Sequence, residues 1–360
     1  MKLGIGLYRH MLDRNHFKFA KQLGCSHVIV HLVNYYSEKQ GILPATDDKT
    51  NYGESIENDF IWSYDGLKNL KDIAAEEGIE IYGIENFSPA DWYDVLLDGP
   101  HRDEQVENLK RIIANVGRVG IRNFGYNFSI AGVWGHKRLA VARGGAVSVC
   151  FDASALPIDA SIPDGEVWNM TYRDGPKDTF IAPVSHADLW NRFERFLNEI
   201  LPVCEKSGVA LALHPDDPPM PELRQTARLV YQPKYYDKLI NLNKSPMNQL
   251  EFCLGSLKEM SEGNIYKETE KYSRNKRISY IHFRNVKGTV PKYDEVFLDE
   301  GDIDMFKILR ILRDTEYTGL LIPDHTPEMT CPGSWYAGMA YAIGYMKAAI
   351  RAICEEKCNE

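Results

Sequence analysis

Short, continuous apolar runs alternate along this chain with longer stretches in which apolar residues return every three or four positions. The runs are Leu3–Leu7, His27–Leu32, Ile79–Asn86, Asn123–Phe128, Val209–Pro215, Gln249–Ser256, Ile278–Val286 and Gly319–Asp324. Most are apolar throughout instead of alternating, the signature of strands buried on both faces of a parallel sheet. Between them, Val106, Leu109, Ile113, Val116 and Val119 form one helical stripe, and Leu189, Phe193, Phe196 and Ile200 form another. Ser185 with Asp188 three residues on is an acidic capping box for the second helix. Asp304–Leu312 and the stretch from Ser334 into the tail read as two further helices, while Tyr231–Asn241 and Leu257–Lys271 show only partial periodicity. Gly24, Gly78, Gly208 and Gly319 precede strands, where a left-handed residue would end the preceding helix.

Eight strands, each followed by a helix, predict an α/β fold, a (β/α)8 TIM barrel spanning residues 1–360 as one domain. Residues 129–184 interrupt the pattern as a long insertion after strand 4, rich in Gly, Ala, Asp and Pro. A loop of that length is expected to be functional, and on a barrel it would cover the C-terminal mouth. An open doubly wound sheet is the competing architecture. It lacks support, because Gly4-Ile5-Gly6 lies inside the first strand with no third glycine at phosphate-binding spacing.

Composition narrows the partners. The chain has 360 residues, 44% hydrophobic and 26% charged, with 42 Lys plus Arg against 51 Asp plus Glu, a net charge of −9. That balance argues against a nonspecific nucleic-acid binder. No apolar run is long enough to cross a membrane, and the first apolar segment is too short for a secretory leader. Seven scattered cysteines suggest reduced thiols and a cytoplasmic location, with Cys354 and Cys358 incidental.

Candidate chemistry belongs at the C-terminal ends of the strands. Four consecutive strands offer His214, Cys253, His282 and Asp324 there. Singly, each has a plain structural explanation: a hydrogen-bonded histidine, a core cysteine, a helix-capping aspartate. Together they would converge on the axis of a closed barrel as a mixed imidazole, thiolate and carboxylate set, suited to a borderline divalent ion and not to Ca or Mg.

The stretches His214-Pro215-Asp216-Asp217-Pro218-Pro219, Cys253-Leu254-Gly255-Ser256, His282-Phe283-Arg284-Asn285-Val286, Gly301-Asp302-Ile303-Asp304-Met305 and Pro323-Asp324-His325 resemble the D-mannonate dehydratase family, as do Asn115–Ile121 and Tyr126-Asn127-Phe128. The resemblance spans most of the chain outside the first sixty residues and the insertion. It implies a metal-dependent TIM-barrel lyase that removes water from D-mannonate to give 2-keto-3-deoxy-D-gluconate in hexuronate (glucuronate) catabolism. Mn2+ is the implied ion, with Fe2+, Co2+ or Zn2+ as substitutes, and a homo-oligomer, dimer or larger, is the implied assembly, with a small-molecule sugar acid as partner and neither nucleic acid nor membrane. His214, Cys253, His282 and Asp324 fall on the family's metal-ligand positions, and Tyr336 on that of a tyrosine near the substrate.

Dehydration requires a base for the C2 proton, an acid for the departing C3 hydroxyl and a Lewis acid for the charge that develops. His325 is the first acid/base candidate, with Tyr336 as the second. Arg284 is a candidate clamp for the substrate carboxylate. Asn127 and Glu85, at strand ends, are candidates for sugar hydroxyls, and Asp216 and Asp217 for orienting His214. The chain departs from the family in reading Ala131-Gly132-Val133-Trp134-Gly135-His136 where Asp-Trp-Thr-Arg is usual, and Thr326-Pro327 where Gly-Arg is usual. His136, Arg138 and Arg143 are candidates to replace those contacts. A metal-dependent sugar isomerase or epimerase and a noncatalytic sugar-acid-binding homologue are the alternatives.

Overall fold

Eight parallel strands close on one another in the computed structural model of this chain, which describes residues 1–35, 52–54 and 60–358. They are β1 (Lys2–Leu7), β2 (His27–His31), β3 (Glu80–Glu85), β4 (Asn123–Tyr126), β5 (Ala210–Leu213), β6 (Asn248–Cys253), β7 (Ile278–His282) and β8 (Leu320–Ile322). Each strand pairs with its neighbours in chain order, and β1 pairs with both β2 and β8. This is the predicted (β/α)8 barrel. The helices are α1 (Arg14–Leu23), α2 (Tyr64–Glu76), α3 (Pro89–Leu97), α4 (Arg102–Arg118), α5 (His186–Ser207), α6 (Lys234–Leu242), α7 (Leu254–Glu259), α8 (Ile265–Arg274), α9 (Met305–Asp314) and α10 (Ser334–Cys358).

Local sequence accounts for these elements. The α5 stripe Leu189, Phe193, Phe196 and Ile200 is fully buried. Ser185 Oγ accepts from the Asp188 amide at 3.2 Å and donates to the Asp188 carboxylate at 2.6 Å, closing the capping box. Gly24 and Gly208 end α1 and α5 at φ 90° and 64°, in the left-handed region that a side chain disfavours. Gly319 does something else. Glu316 takes the left-handed conformation after α9, at φ 58°, and Gly319 makes room for Tyr317, whose hydroxyl would lie 2.3 Å from an added Cβ. The weakly periodic stretch 257–271 resolves into two short helices, α7 and α8, which explains its broken stripe.

Strand seven differs from expectation. It ends at His282, and Asn285–Thr289 pairs antiparallel with Lys292–Val296. That hairpin pairs with Ala146–Asp152, which pairs with Lys137–Ala142. The segment after β4 and the loop after β7 thus share one four-stranded antiparallel sheet. The sheet is tied to the loop after β8, where the Glu328 amide donates to the Val147 carbonyl at 2.8 Å. Among the described residues no helix is long and apolar enough to cross a membrane. The Cys358 side chain lies outside the described residues.

Candidate metal centre and active site

Register brings the candidate ligands to one level. Cys253 pairs with His282, His282 pairs with Ile322, and Asp324 follows two residues later. His214 directly follows β5, its amide donating to the Tyr126 carbonyl at 2.8 Å. His214, Cys253 and His282 each place a donor atom within 4.8 Å of the others, and Asp324 Oδ2 lies 3.2 Å from His282 Nδ1. Asp324 sits at φ 62°, a strained conformation for a non-glycine residue that turns its carboxylate back over the strand ends.

The tautomers suit a cation. His214 Nδ1 is 2.6 Å from the Pro215 carbonyl and carries a proton there, which leaves Nε2 to face Cys253. His282 faces Glu85 and Glu251 through Nε2, at 3.2 and 3.1 Å. Its buried Nδ1 makes no hydrogen bond, although Asp324 is close. Imidazole, thiolate and carboxylate donor atoms this close together, on four neighbouring strand ends, are a set that a borderline divalent ion would accept. The residues therefore fit a divalent ion.

Electrostatics agree. Burial alone would keep the Cys253 thiol protonated, but the Arg284 charge and the neighbouring His214 and His282 rings pull it well below its ordinary range, toward the ligating thiolate. Burial alone would lower His214, yet the Cys253 contact raises it to about 9. Burial would likewise raise Asp324, but the charges of His282 and His325 hold it ionised. Thiolate and carboxylate thus face imidazoles that their charge raises toward the protonated form, and a bound cation would take the place of those protons.

His325 stands at the rim of this cluster. Its Nδ1 is 2.7 Å from Glu295 Oε2 and its Nε2 is 3.3 Å from Asp324 Oδ2. Burial would lower its pKa, but Asp324 and then Glu295 raise it to about 9, so the ring is protonated near neutrality. His31, at the end of β2, is shifted the other way, burial outweighing the Glu85 charge, and stays neutral. Both line a cavity of about 1010 Å³, mouth included, together with His214, His282, Asp324, Glu85 and Asn127. Its outer wall comes from the segment after β4 through Val133, His136, Arg138, Val149 and Trp168.

Several expected residues lie elsewhere. Arg284 is 2% exposed, and its guanidinium is spent on the protein. It donates to Glu259 at 2.7 Å, Glu295 at 3.0 Å, Ser256 Oγ at 3.0 Å and, at closer range, Asp217. Engaged by buried carboxylates, it does not line the cavity where a substrate clamp was expected. Tyr336 is 41% exposed in the first turn of α10, its hydroxyl 2.8 Å from His16 Nε2 of α1 and its ring against Phe19. It does not line the cavity, where a proton-transfer group was expected. Asp216 accepts the Leu229 and Val230 amides and pairs with Arg228, while Asp217 serves Arg284 and Tyr293, so neither orients His214. Of the replacement candidates, His136 and Arg138 reach the cavity. Arg143 pairs with Asp299 on the outside.

Sequence reasoning missed Glu295, Tyr8, His31 and Glu251. Glu251 had a signal: two residues before Cys253 on one strand, it must face the same side, into the barrel. Glu295 had none, since its hairpin joins His325 only through the tertiary fold.

Comparison with known proteins identifies the family. A family model described as D-mannonate dehydratase matches residues 28–360. Mannonate dehydratase of Streptococcus pneumoniae (strain 70585) is 31% identical over 277 residues, covering 73% of this chain and 74% of that protein. That of Lactococcus lactis subsp. cremoris is 31% identical over 320 residues, covering 82% and 88%. The crystal structure of mannonate dehydratase from Streptococcus suis serotype 2 superposes with a TM-score of 0.77 at 26% identity, covering 99% of this chain and 94% of that one. An L-ribulose 3-epimerase superposes with a TM-score of 0.57 at 13% identity, a likeness of fold alone.

Proposed function

Because this chain belongs to the D-mannonate dehydratase family and is a metal-dependent hydro-lyase that dehydrates D-mannonate, we propose a division of labour among its residues. His214 Nε2, Cys253 Sγ, His282 Nδ1 and the Asp324 carboxylate hold the divalent ion, which supplies Lewis-acid stabilisation for the negative charge that develops on the substrate when C2 loses its proton. His325, fixed through Nδ1 by Glu295, gives its proton to the departing C3 hydroxyl. His31 is the neutral imidazole on the same wall and receives the C2 proton. Two imidazoles whose surroundings push them to opposite protonation states are the pattern expected of an acid and a base in one site. The resulting enol relaxes to the 2-keto-3-deoxy acid. Asn127 contacts the polyol hydroxyls, and residues 129–184 cover the mouth of a single catalytic domain.

With this reading go manganese as the resident ion, a role in hexuronate breakdown, a cytoplasmic location and a dimeric or larger assembly. The mixed donor set supports a borderline ion. The observation that carries the reading is the convergence of four ligand-type groups: buried His282 Nδ1 lies 3.2 Å from Asp324, and donor atoms of His214, Cys253 and His282 lie within 4.8 Å of one another. The test uses manganese-loaded protein and D-mannonate. Cys253→Ala should lose both metal and product. His325→Asn should keep metal, lose product and still exchange the C2 hydrogen with solvent. Metal retained in the first variant or lost in the second would refute the assignment.

A further inference from the structure

The interior of a (β/α)8 barrel is ordinarily filled by branched apolar side chains. Here one layer is not. Glu85 on β3 and Glu251 on β6 point inward with Tyr280 and His282 of β7, and they are 6% and 0% exposed. Tyr280 donates to Glu85 Oε2 at 3.2 Å. His282 Nε2 stands between the two carboxyl groups, 3.2 Å from Glu85 Oε2 and 3.1 Å from Glu251 Oε1. Gly125 on β4 leaves the space for this layer: a Cβ there would fall 1.9 Å from the Tyr280 hydroxyl and 2.2 Å from Glu251 Oε2. Glu251 touches no solvent and does not line the cavity. A fully buried carboxyl is costly unless it serves a partner, and the partner facing Glu251 is the His282 ring.

We propose that Glu251 is a positioning residue for the metal centre, acting with Glu85 through His282 to fix the ring with its Nε2–H inward and its Nδ1 lone pair toward the ion. The inference rests on the ligand assignment above and names a residue that assignment does not use. A ligating histidine whose far nitrogen is anchored keeps one tautomer and one ring orientation, and loss of such an anchor lowers metal affinity about 10–100-fold. Two anchors from different strands, β3 and β6, also fix the ring's rotation, which one alone would leave free.

The test is Mn2+ titration of apo protein without substrate, free Mn2+ being read by electron paramagnetic resonance, in the wild type, Glu251→Gln, Glu251→Leu and Cys253→Ser. The expected result is a roughly 10–100-fold weaker Kd for Glu251→Leu, with Glu251→Gln within about threefold of wild type because the amide carbonyl still accepts from His282. Substituted Co2+ should show an altered visible spectrum in Glu251→Leu alone of the two Glu251 variants. Wild-type Mn2+ affinity and Co2+ spectrum in a folded Glu251→Leu protein would overturn the proposal. If that variant does not fold, Glu85→Leu probes the same ring from the other side, and an unchanged Kd there overturns it equally. Cys253→Ser separates the premises: were it to bind Mn2+ as wild type does, the ligand assignment itself would fall.

Discussion

Two acidic clusters lie side by side above the barrel strands, and they solve one electrostatic problem in opposite ways. Around His282, the Asp324 carboxylate and the Cys253 thiolate converge on the imidazoles, with Arg284 reaching only the edge of the cluster. Around Arg284, Asp217, Glu259 and Glu295 also bring donor atoms within 4.8 Å of one another, a spacing that by itself reads as a metal site. There, however, a guanidinium lies within hydrogen-bond distance of all three carboxylates. Proximity of acidic ligands therefore does not define a metal centre. What separates the two is the source of the neutralising charge. A guanidinium inside the Arg284 cluster pairs with all three carboxylates, while the His282 cluster sets imidazoles against a thiolate and a carboxylate.

The clusters are also coupled. The Arg284 charge is the first influence that pulls the Cys253 thiol down after burial has pushed it up, and Arg284 Nε is 3.4 Å from Asp324 Oδ2. Glu295 bridges outward, accepting from Arg284 through one oxygen and from His325 through the other. Arg284 thus helps set the charge state of the ligands without meeting the substrate.

Removing Arg284 should break the comparison most severely. Arg284→Met leaves Asp217, Glu259 and Glu295 buried without the guanidinium they share, which should cost about 3–5 kcal/mol of stability. The checks are chemical denaturation and metal content after refolding. A folded variant of near-wild-type stability that still dehydrates D-mannonate would show that the guanidinium is dispensable.

A smaller effect is expected one step outward. Glu295→Gln keeps an acceptor for His325 Nδ1 but removes its charge, which counts second only to Asp324 in raising that histidine. A donor held at about 9 remains protonated across neutrality, and kcat falls as pH rises through that value. Without the Glu295 charge the folded-state pKa drops, so the alkaline limb of the kcat profile should move to lower pH. Turnover at neutral pH should fall about tenfold with metal content unchanged. A limb that stays in place would remove His325 from the acid role.

What the sequence revealed of these clusters follows from how each is encoded. His214, Cys253, His282 and Asp324 lie at the ends of uninterrupted apolar runs, so a closed barrel brings them together without further information. Glu85 and Asn127 were placed at the cavity by the same rule. Arg284 also follows a strand, but β7 stops at His282 and the chain turns into the Asn285–Thr289 hairpin, which draws the guanidinium away from the cavity. Periodicity does not report that turn, because Phe283 and Val286 continue the apolar run into another sheet. Tyr336 was placed by motif alone, and the packing of α10 against α1 decides where it points. The sheet after β4 was invisible for a further reason: its partners, Lys292–Val296, come from a loop about 140 residues away.

The mildest prediction contrasts two arginines. Arg284 was expected to meet substrate and is spent; Arg138, from the sheet after β4, is the Lys or Arg side chain on the cavity wall among the described residues. It pairs at close range with Glu328, and both side chains keep about a fifth of their surface exposed, 21% and 23%. A partly solvated pair of this kind contributes little to stability, so Arg138→Met should leave the fold and the metal content intact. It should instead weaken binding of an anionic, polyhydroxylated substrate, raising KM about tenfold with kcat nearly unchanged, as loss of a charged hydrogen bond made equally in ground and transition states requires. Glu328→Gln should have a weaker effect of the opposite sign, because it frees the guanidinium for the ligand. A fall in kcat at constant KM would instead place Arg138 among the groups that act only in the transition state.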